Sequence, residues 1–510
     1  MTKIRLSCCR SALIGGALLA HALVARAQSS SATLPDTLRA ATLQRDVAVL
    51  RAALLAVHPG VERYNTPAQI DSIFEALRRR FASDQTPTAA FLAISEAMSA
   101  LRCGHTYLNP VNQSSAVAER VFSHTPRVPF YFRWIQGAMV VTRDASAEHL
   151  FPVGTIIESV NAVPARTILA RLLPYSRADG HNTAKRIANL SVAPDSRWQA
   201  FDIYFALAVP QPEGAWAFTV HAPGTGSRVI HAAPVTAQQR LALYDSLARA
   251  GRDTAPPWTF DIDTQGVGRM TMRTWVTYND KWNWQGWVDR AFDSLAARHA
   301  RALIIDLRGN EGGTSVGDAI LAHLVPRDVV LRQFQRYTRY RDLPDSLRPY
   351  LDTWDRSFDH WGAQATPATE RPGFYRFVWA DDSVKARSGG TPIAARPPRF
   401  AGRVFVLVDA ANSSATFEFA LAARELGVAK LVGAPTGGNQ RGITGGAFYF
   451  LRLPGSRIEV DVPLIAFFPP AARPDGGIAP DVLAEEQPSD VMAGRDRAMA
   501  AAGRLAVRRR

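Results

Sequence analysis

The segment RVFVLVDAANSSATFEFALAARELG, residues 403 to 427, constrains the fold more than any other part of the chain. Val404 to Val408 is a continuous apolar run, as a strand buried on both faces requires, and such strands belong to parallel sheets covered by helices. After the polar turn Asn412-Ser413-Ser414, the residues Phe417, Ala420, Leu421 and Leu426 recur at helical spacing. The stretch predicts strand, tight turn and helix, and with them an α/β fold. The turn has two readings. First-turn amides lack intrahelical acceptors and sit at the positive end of the helix dipole, so an oxyanion beside Ser414 would meet donors already in place. Equally, Asn412 and Ser413 are of the type that caps a helix without doing chemistry.

The chain's start bears on compartment. Residues 1–27 carry Lys3, Arg5 and Arg10, then ALIGGALLAHALVA, then Ala25-Arg26-Ala27, the layout of a cleavable secretory signal. The apolar stretch is too short for a membrane anchor, so the expectation is an exported protein, periplasmic or extracellular, without an integral anchor. Cys8 and Cys9 would leave with the signal, and the remaining Cys103 has no partner for an internal disulfide. The net charge of +14 falls to +10 without Lys3, Arg5, Arg10 and Arg26, since no acidic residue leaves with them. That surplus is scattered arginine with no aromatic-interleaved basic patch, which argues against nucleic acid as a partner. GNEGGTSVG lacks the GxGxxG order and GGNQRGITGG lacks Gly-Lys-Ser/Thr, so no nucleotide cofactor is expected. Dispersed histidines and a lone cysteine give no metal expectation either.

Apolar spacings of three and four mark residues 28–112 as a helical N-terminal domain. Short alternating runs, FYFRWI, MVVTR, GTIIESVNAVP, FDIYFALAV and WAFTVHA, mark 113–235 as a β-rich domain with a helical piece near Ile168 to Leu173. A helical connector covers 236–257, an α/β core 258–495, and a basic tail 496–510. Residues 339–400, rich in Pro, Asp and aromatics, break the α/β rhythm and read as an insertion, a candidate lid.

LRCGHTYL around His105, ALIIDLRGNEGG at 302–313, and NSSATFEFALAARELGVAKLVGAPTGG at 412–438 occur in the order and character of the C-terminal processing, or tail-specific, serine peptidases. GTIIESVNAVPARTIL at 154–169 is similar to the carboxylate-binding-loop end of their PDZ-like domain, and PDGGIAPD at 474–481 resembles their closing motif. The chain resembles the tricorn-like branch, over roughly residues 40 to 485. The resemblance implies a ClpP/crotonase-like catalytic core, a helical N-terminal domain and a PDZ-like β-rich domain.

It also implies roles. Ser414 of the Ser-Ala pair is the nucleophile, with Ser413 as the fallback, because anchoring on Glu418 would register the attack on Ala415, which has no hydroxyl. Asn439 stands where the lysine-using branch has its base, and Lys430 reads as a surface residue. His105, preceded by Gly104, is then the base; its bland alternative is a histidine closing a helix after Leu101. Asp475 is the implied orienting acid, although it is also an ordinary turn former before Gly476-Gly477, and Thr106 is another possible helper. The amides of Gly312 and Ala415 are the implied oxyanion hole. Asp306 and Arg308 brace the donor loop, Glu311 stands where relatives often have proline or glycine, and Cys103 reads as buried and inert. Together these readings describe an exported serine peptidase acting on polypeptides near their C-terminal tails, which the PDZ-like unit would capture by strand addition. An inactive peptidase-fold binding protein and an esterase are the alternatives.

Overall fold

The computed structural model describes residues 33–508 apart from 195–198, 223–225, 253–257, 279–281 and 380–389, so the signal expectation lies outside the described residues. Helices α1 (Ala40–Val57), α2 (Pro67–Arg80) and α3 (Pro87–Ala100) build the N-terminal region, with a shorter α4 (Ser115–Val121). Thr66 and Thr86 cap α2 and α3 through their hydroxyls, each with proline in the first turn, where a missing N–H leaves nothing unpaired.

The β-rich region follows as β1 (Phe130–Ile135), β2 (Ala138–Asp144), β3 (Ile156–Val160), β4 (Val163–Pro164), α5 (Ala165–Leu172), α6 (Thr183–Asn189), α7 (Ala200–Ala208), β5 (Trp216–His221) and β6 (Ser227–Ala232). Its sheet runs β1-β2-β3-β5-β6, with β4 on β3. FDIYFALAV, read as a strand, is the helix α7. Phe201, Ile203, Tyr204 and Phe205 are all buried there, and a helix buried on most sides shows no amphipathic stripe to distinguish it from an apolar strand.

After α8 (Ala237–Arg252) come β7 (Trp258–Ile262), β8 (Val267–Met272), α9 (Trp284–Ala297), β9 (Ala302–Asp306), α10 (Val316–Leu324), β10 (Val329–Leu331), β11 (Gln335–Thr338), β12 (Leu351–Asp352), β13 (Ala365–Pro367), β14 (Tyr375–Phe377), β15 (Thr391–Ile393), β16 (Arg403–Val408), α11 (Ser414–Glu425), β17 (Lys430–Gly433), β18 (Thr444–Arg452), β19 (Glu459–Phe468), β20 (Val482–Leu483), α12 (Pro488–Met492) and α13 (Arg497–Val507). One sheet runs β20-β17-β16-β9-β8-β7, parallel from β20 to β8; a second runs β12-β18-β19-β11-β14-β13.

Two of the segments carry regular structure of their own. The strands within 339–400 are built into sheets: β12 pairs with β18, β13 and β14 extend the edge at β11, and β15 pairs with β10. The stretch read as a basic tail is largely α13, whose Ala498, Ala501, Ala502 and Ala506 lie on Ile304, Phe405 and Leu407. Small residues at helical spacing bring that helix close to the sheet while its arginines face outward.

A single apolar cluster runs from Leu43 and Phe91 through Phe130 and Trp216 to Tyr449, Val462 and Ile465, so the helical region, the β-rich region and the second sheet share one core. Beside it, His58 is buried, accepts from the Gly60 amide at Nδ1 (3.0 Å) and lies 2.8 Å from Thr106 Oγ1 at Nε2. Accepting at Nδ1 makes the ring neutral with Nε2–H donated to Thr106, and burial foremost pushes its pKa down to about 3. Because the unfolded imidazole binds a proton near its ordinary 6.5 and the folded one does not, stability is full above that value and falls as pH drops toward 3. Urea titrations at stepped pH should show a His58 contribution of up to about 1.4 kcal/mol per pH unit in that window, absent in His58→Gln.

Candidate active site

Strands β9 and β16 are parallel neighbours with Asp306 opposite Leu407, so the loops leaving their C-terminal ends emerge side by side. In such sheets this edge is where ligands bind. Asn412 ties the two loops together: its Nδ2 donates to the Leu307 (2.6 Å) and Asn310 (3.0 Å) carbonyls, while its Oδ1 accepts from the Asp409 amide (2.7 Å). The Gly309 amide adds a bond to Asp409 Oδ2 at 3.0 Å. Asp306 and Arg308 pair with each other and Arg308 continues to Asp496, which anchors α13 to the base of the donor loop.

Ser413 occupies the N-cap position of α11 but its side chain makes no capping bond; its hydroxyl instead donates across to the Glu311 carbonyl at 3.3 Å. Ser414 is half-buried and has φ of +52°. A left-handed backbone is unfavourable for an L residue by roughly 1–2 kcal/mol, so the surrounding contacts must hold it there. The turn projects Ser414 from a strand-to-helix junction, while the uncapped first-turn amides of α11 remain available.

The donor loop approaches that turn closely. A Cβ at Gly312, whose φ is +103°, would lie 2.9 Å from Ser414 Cβ and from the Ala415 nitrogen. Ala415 lies in the first turn of α11, as an oxyanion donor requires. Gly312 is different: its amide donates to Asn310 Oδ1 at 2.9 Å, so in this conformation it is committed within the loop, and donation to an oxyanion requires the amide to leave Asn310. Gly312→Ala is expected to lower kcat by at least about 10²-fold, through the intruding Cβ and the strained φ, with the effect read from initial rates on a polypeptide substrate.

His105 reaches this edge on the loop after α3. That loop is fastened to β19 by the Asp461 amide on the Tyr107 carbonyl (3.0 Å) and by Asn109 and Asn112 on the Asp461 carboxylate. From the β-rich region, the Gly104 amide donates to Asp179 Oδ1 (3.0 Å), and Arg177 donates to the Gly104 carbonyl while lying 4.2 Å over the Tyr107 ring. The His105 ring faces Phe448 at 6.1 Å, and its Nδ1 is buried with no hydrogen-bond partner among the described residues. Burial lowers its pKa below 6.5; Asp179 and Glu311 act upward on it, Arg177 and Lys185 downward. Two of those charges meet between the loops that follow β9 and β16, where Lys185 bonds both Glu311 and the Ala411 carbonyl.

Asp475 is placed elsewhere than at His105. Its carboxylate accepts from the His181 amide (3.0 Å), lies 2.6 Å from His181 Nδ1 and accepts from Asn439 Nδ2 (2.7 Å). Buried Asn439 also donates to the Asp179 carbonyl at 3.1 Å, so the residue at the position of the lysine-using branch's base braces the interface with the β-rich region. Thr106 is taken by His58. Burial first of all pushes the Cys103 thiol up to about 11, which leaves it a thiol at neutral pH. No group of His, Cys, Asp and Glu among the described residues could hold a metal ion, and no described helix is long and apolar enough to cross a membrane.

Lys185, on α6, lies in no motif of the sequence. Only 3% exposed, it donates from Nζ to Glu311 Oε1 (2.7 Å) and to the Ala411 carbonyl (2.9 Å). Asn182 caps α6 and donates to the Thr436 and Gly438 carbonyls, docking this helix on the core. A composition signal existed: the chain's cations are overwhelmingly arginine, with lysine only at positions 3, 185, 281, 385 and 430.

The profile of peptidase family S41 matches residues 266–484. No curated protein matches the chain. Among solved structures, mature CPAF complexed with lactacystin is 13% identical over 92% of this chain and 98% of that one, with a TM-score of 0.61. Mature CPAF alone is 13% identical over 92% and 97%, with a TM-score of 0.58. The photosystem II D1 C-terminal processing protease is 15% identical over 88% and 94%, with a TM-score of 0.40. The CPAF structures share the fold expected here: a helical N-terminal region, a β-rich domain and an α/β core.

Proposed function

We propose that this chain, whose residues 266–484 match the profile of peptidase family S41, is a serine-type peptidase that hydrolyses polypeptides through an acyl-enzyme on Ser414 with His105 as general base. The observation that carries this reading is the Ser414 backbone, held at φ of +52° against the donor loop at the C-terminal edge of a parallel sheet. Ser414 Oγ attacks the scissile carbonyl as its proton passes to the His105 imidazole. The oxyanion meets the Ala415 amide and the positive end of α11, joined by Gly312 once its amide leaves Asn310. Collapse expels the amine, protonated by His105; water, deprotonated by the same ring, then releases the acid product.

The β-rich domain supports a substrate presented as an extended tail, and the apolar stretch with its A-x-A site supports export. Digestion of one unstructured polypeptide with a free or an amidated C-terminus tests the tail preference. Faster cleavage of the free acid is expected; equal rates would remove it. Commitment of the Gly312 amide to Asn310 favours a second reading, a peptidase fold kept for binding, for which no wild-type digestion at all is expected.

A further inference from the structure

We infer that Glu311 is a positioning residue for His105, and that Lys185 reaches in from the β-rich domain to hold it in place. The inference rests on the reading of His105 as the base. The geometry begins with the Lys185 side chain, which runs over the turn at 435–438. A Cβ at Gly437 would sit 2.8 Å from Lys185 Cδ, so glycine there leaves room for the stem. Its Nζ then bridges the Glu311 carboxylate on the donor loop and the Ala411 carbonyl on the nucleophile loop. Arg177 Nη2 lies 3.9 Å from the other Glu311 oxygen, and the same guanidinium donates to the carbonyl of the Gly104–His105 peptide. One half-exposed carboxylate is thus held from two sides, by cations that also grip the loops carrying the serine and the histidine.

An almost fully buried lysine is weak evidence for stability, because desolvation offsets much of the ion-pair attraction. It has a clearer use here. In acylation the proton leaving Ser414 Oγ makes His105 a cation, and the Nδ1 of that ring has no hydrogen-bond partner among the described residues to share the charge. A carboxylate held in place by Lys185 and by the Arg177 that grips the Gly104–His105 peptide favours that cation. Burial pushes the Glu311 carboxyl up, but Lys185 and Arg177 more than reverse this and hold it at about 2, so it is ionised throughout the working range. The charged groups that act on His105 are Asp179 and Glu311, which raise its pKa, and Arg177 and Lys185, which lower it. Removing one negative and one positive member should therefore move the histidine in opposite directions.

The test is kcat/KM against pH on an unstructured polypeptide, whose acid limb reports the base in the free enzyme. Glu311→Gln should move that limb down by about one pH unit and Lys185→Met should move it up, while the double variant returns near wild type. Lys185→Arg, which keeps the charge, should leave it in place, and circular dichroism checks that each variant is folded. If both single variants leave the limb unmoved, or shift it in the same direction, while His105→Ala abolishes turnover, the pair only braces the loops and the inference is overturned. If His105→Ala keeps wild-type turnover, the inference falls together with the base assignment. Should Lys185→Met not fold, the Glu311→Gln shift with Lys185→Arg unshifted still decides the matter.

Discussion

Ser414→Ala is expected to lower kcat on the order of 10⁵-fold or more, with little change in fold or in affinity for a polypeptide. Without the hydroxyl no acyl-enzyme forms, and what remains is attack by water assisted by the donors, the residual typical of sites whose nucleophile has been removed. The stability change should be small, because alanine keeps a left-handed residue at that half-buried position. The paired control is Ser413→Ala. Its hydroxyl makes only a long bond to the Glu311 carbonyl, so a loss of about 1 kcal/mol in stability and at most tenfold in rate is expected. A large loss at Ser413 and a small one at Ser414 would shift the nucleophile by one residue. Single-turnover kinetics with both variants, beside chemical denaturation, provides the comparison.

His105→Gln should lower kcat about 10²- to 10⁴-fold if proton transfer alone is lost, and further if serine and histidine act as a unit. The pH profile gives an independent check. Only the neutral imidazole accepts the serine proton, and burial lowers its pKa below 6.5, so activity should persist as pH falls through that value and fail only below it. Repeating the profile in high salt separates the contributions: the shift from burial should survive, whereas the part due to the partly exposed Glu311 should shrink. A wild-type acid limb above pH 6.5 would mean that the carboxylates, not burial, dominate the histidine.

How much of this was legible in the sequence varied with how local each feature is. The continuous apolar runs at Val404 to Val408 and Ala302 to Ile305 mark buried parallel strands by themselves, and the glycines and polar residues that follow mark the turns. Parallel pairing then brings the two loops together without further information. FDIYFALAV misled because a short apolar segment carries no period that separates helix from strand, and its burial in the shared core decided for the helix. The partner of Asp475 was not legible either. The choice between His105 and His181 depends on how the loop at 177–185 docks between the helical region and the core, a contact across roughly three hundred residues that no motif records. Lys185 and Glu311 were hidden for the same reason: each looks like a surface charge until tertiary structure brings them to 2.7 Å.

The central claim is that one serine, on this turn, is activated by a histidine from a distant segment. Its most direct test is labelling the full chain with a fluorophosphonate, followed by peptide mapping of the adduct. The account predicts a single adduct on Ser414, absent in Ser414→Ala and strongly slowed in His105→Gln. An adduct on Ser413 or elsewhere, labelling at the wild-type rate without His105, or no labelling of an enzyme that still cleaves polypeptides would contradict it.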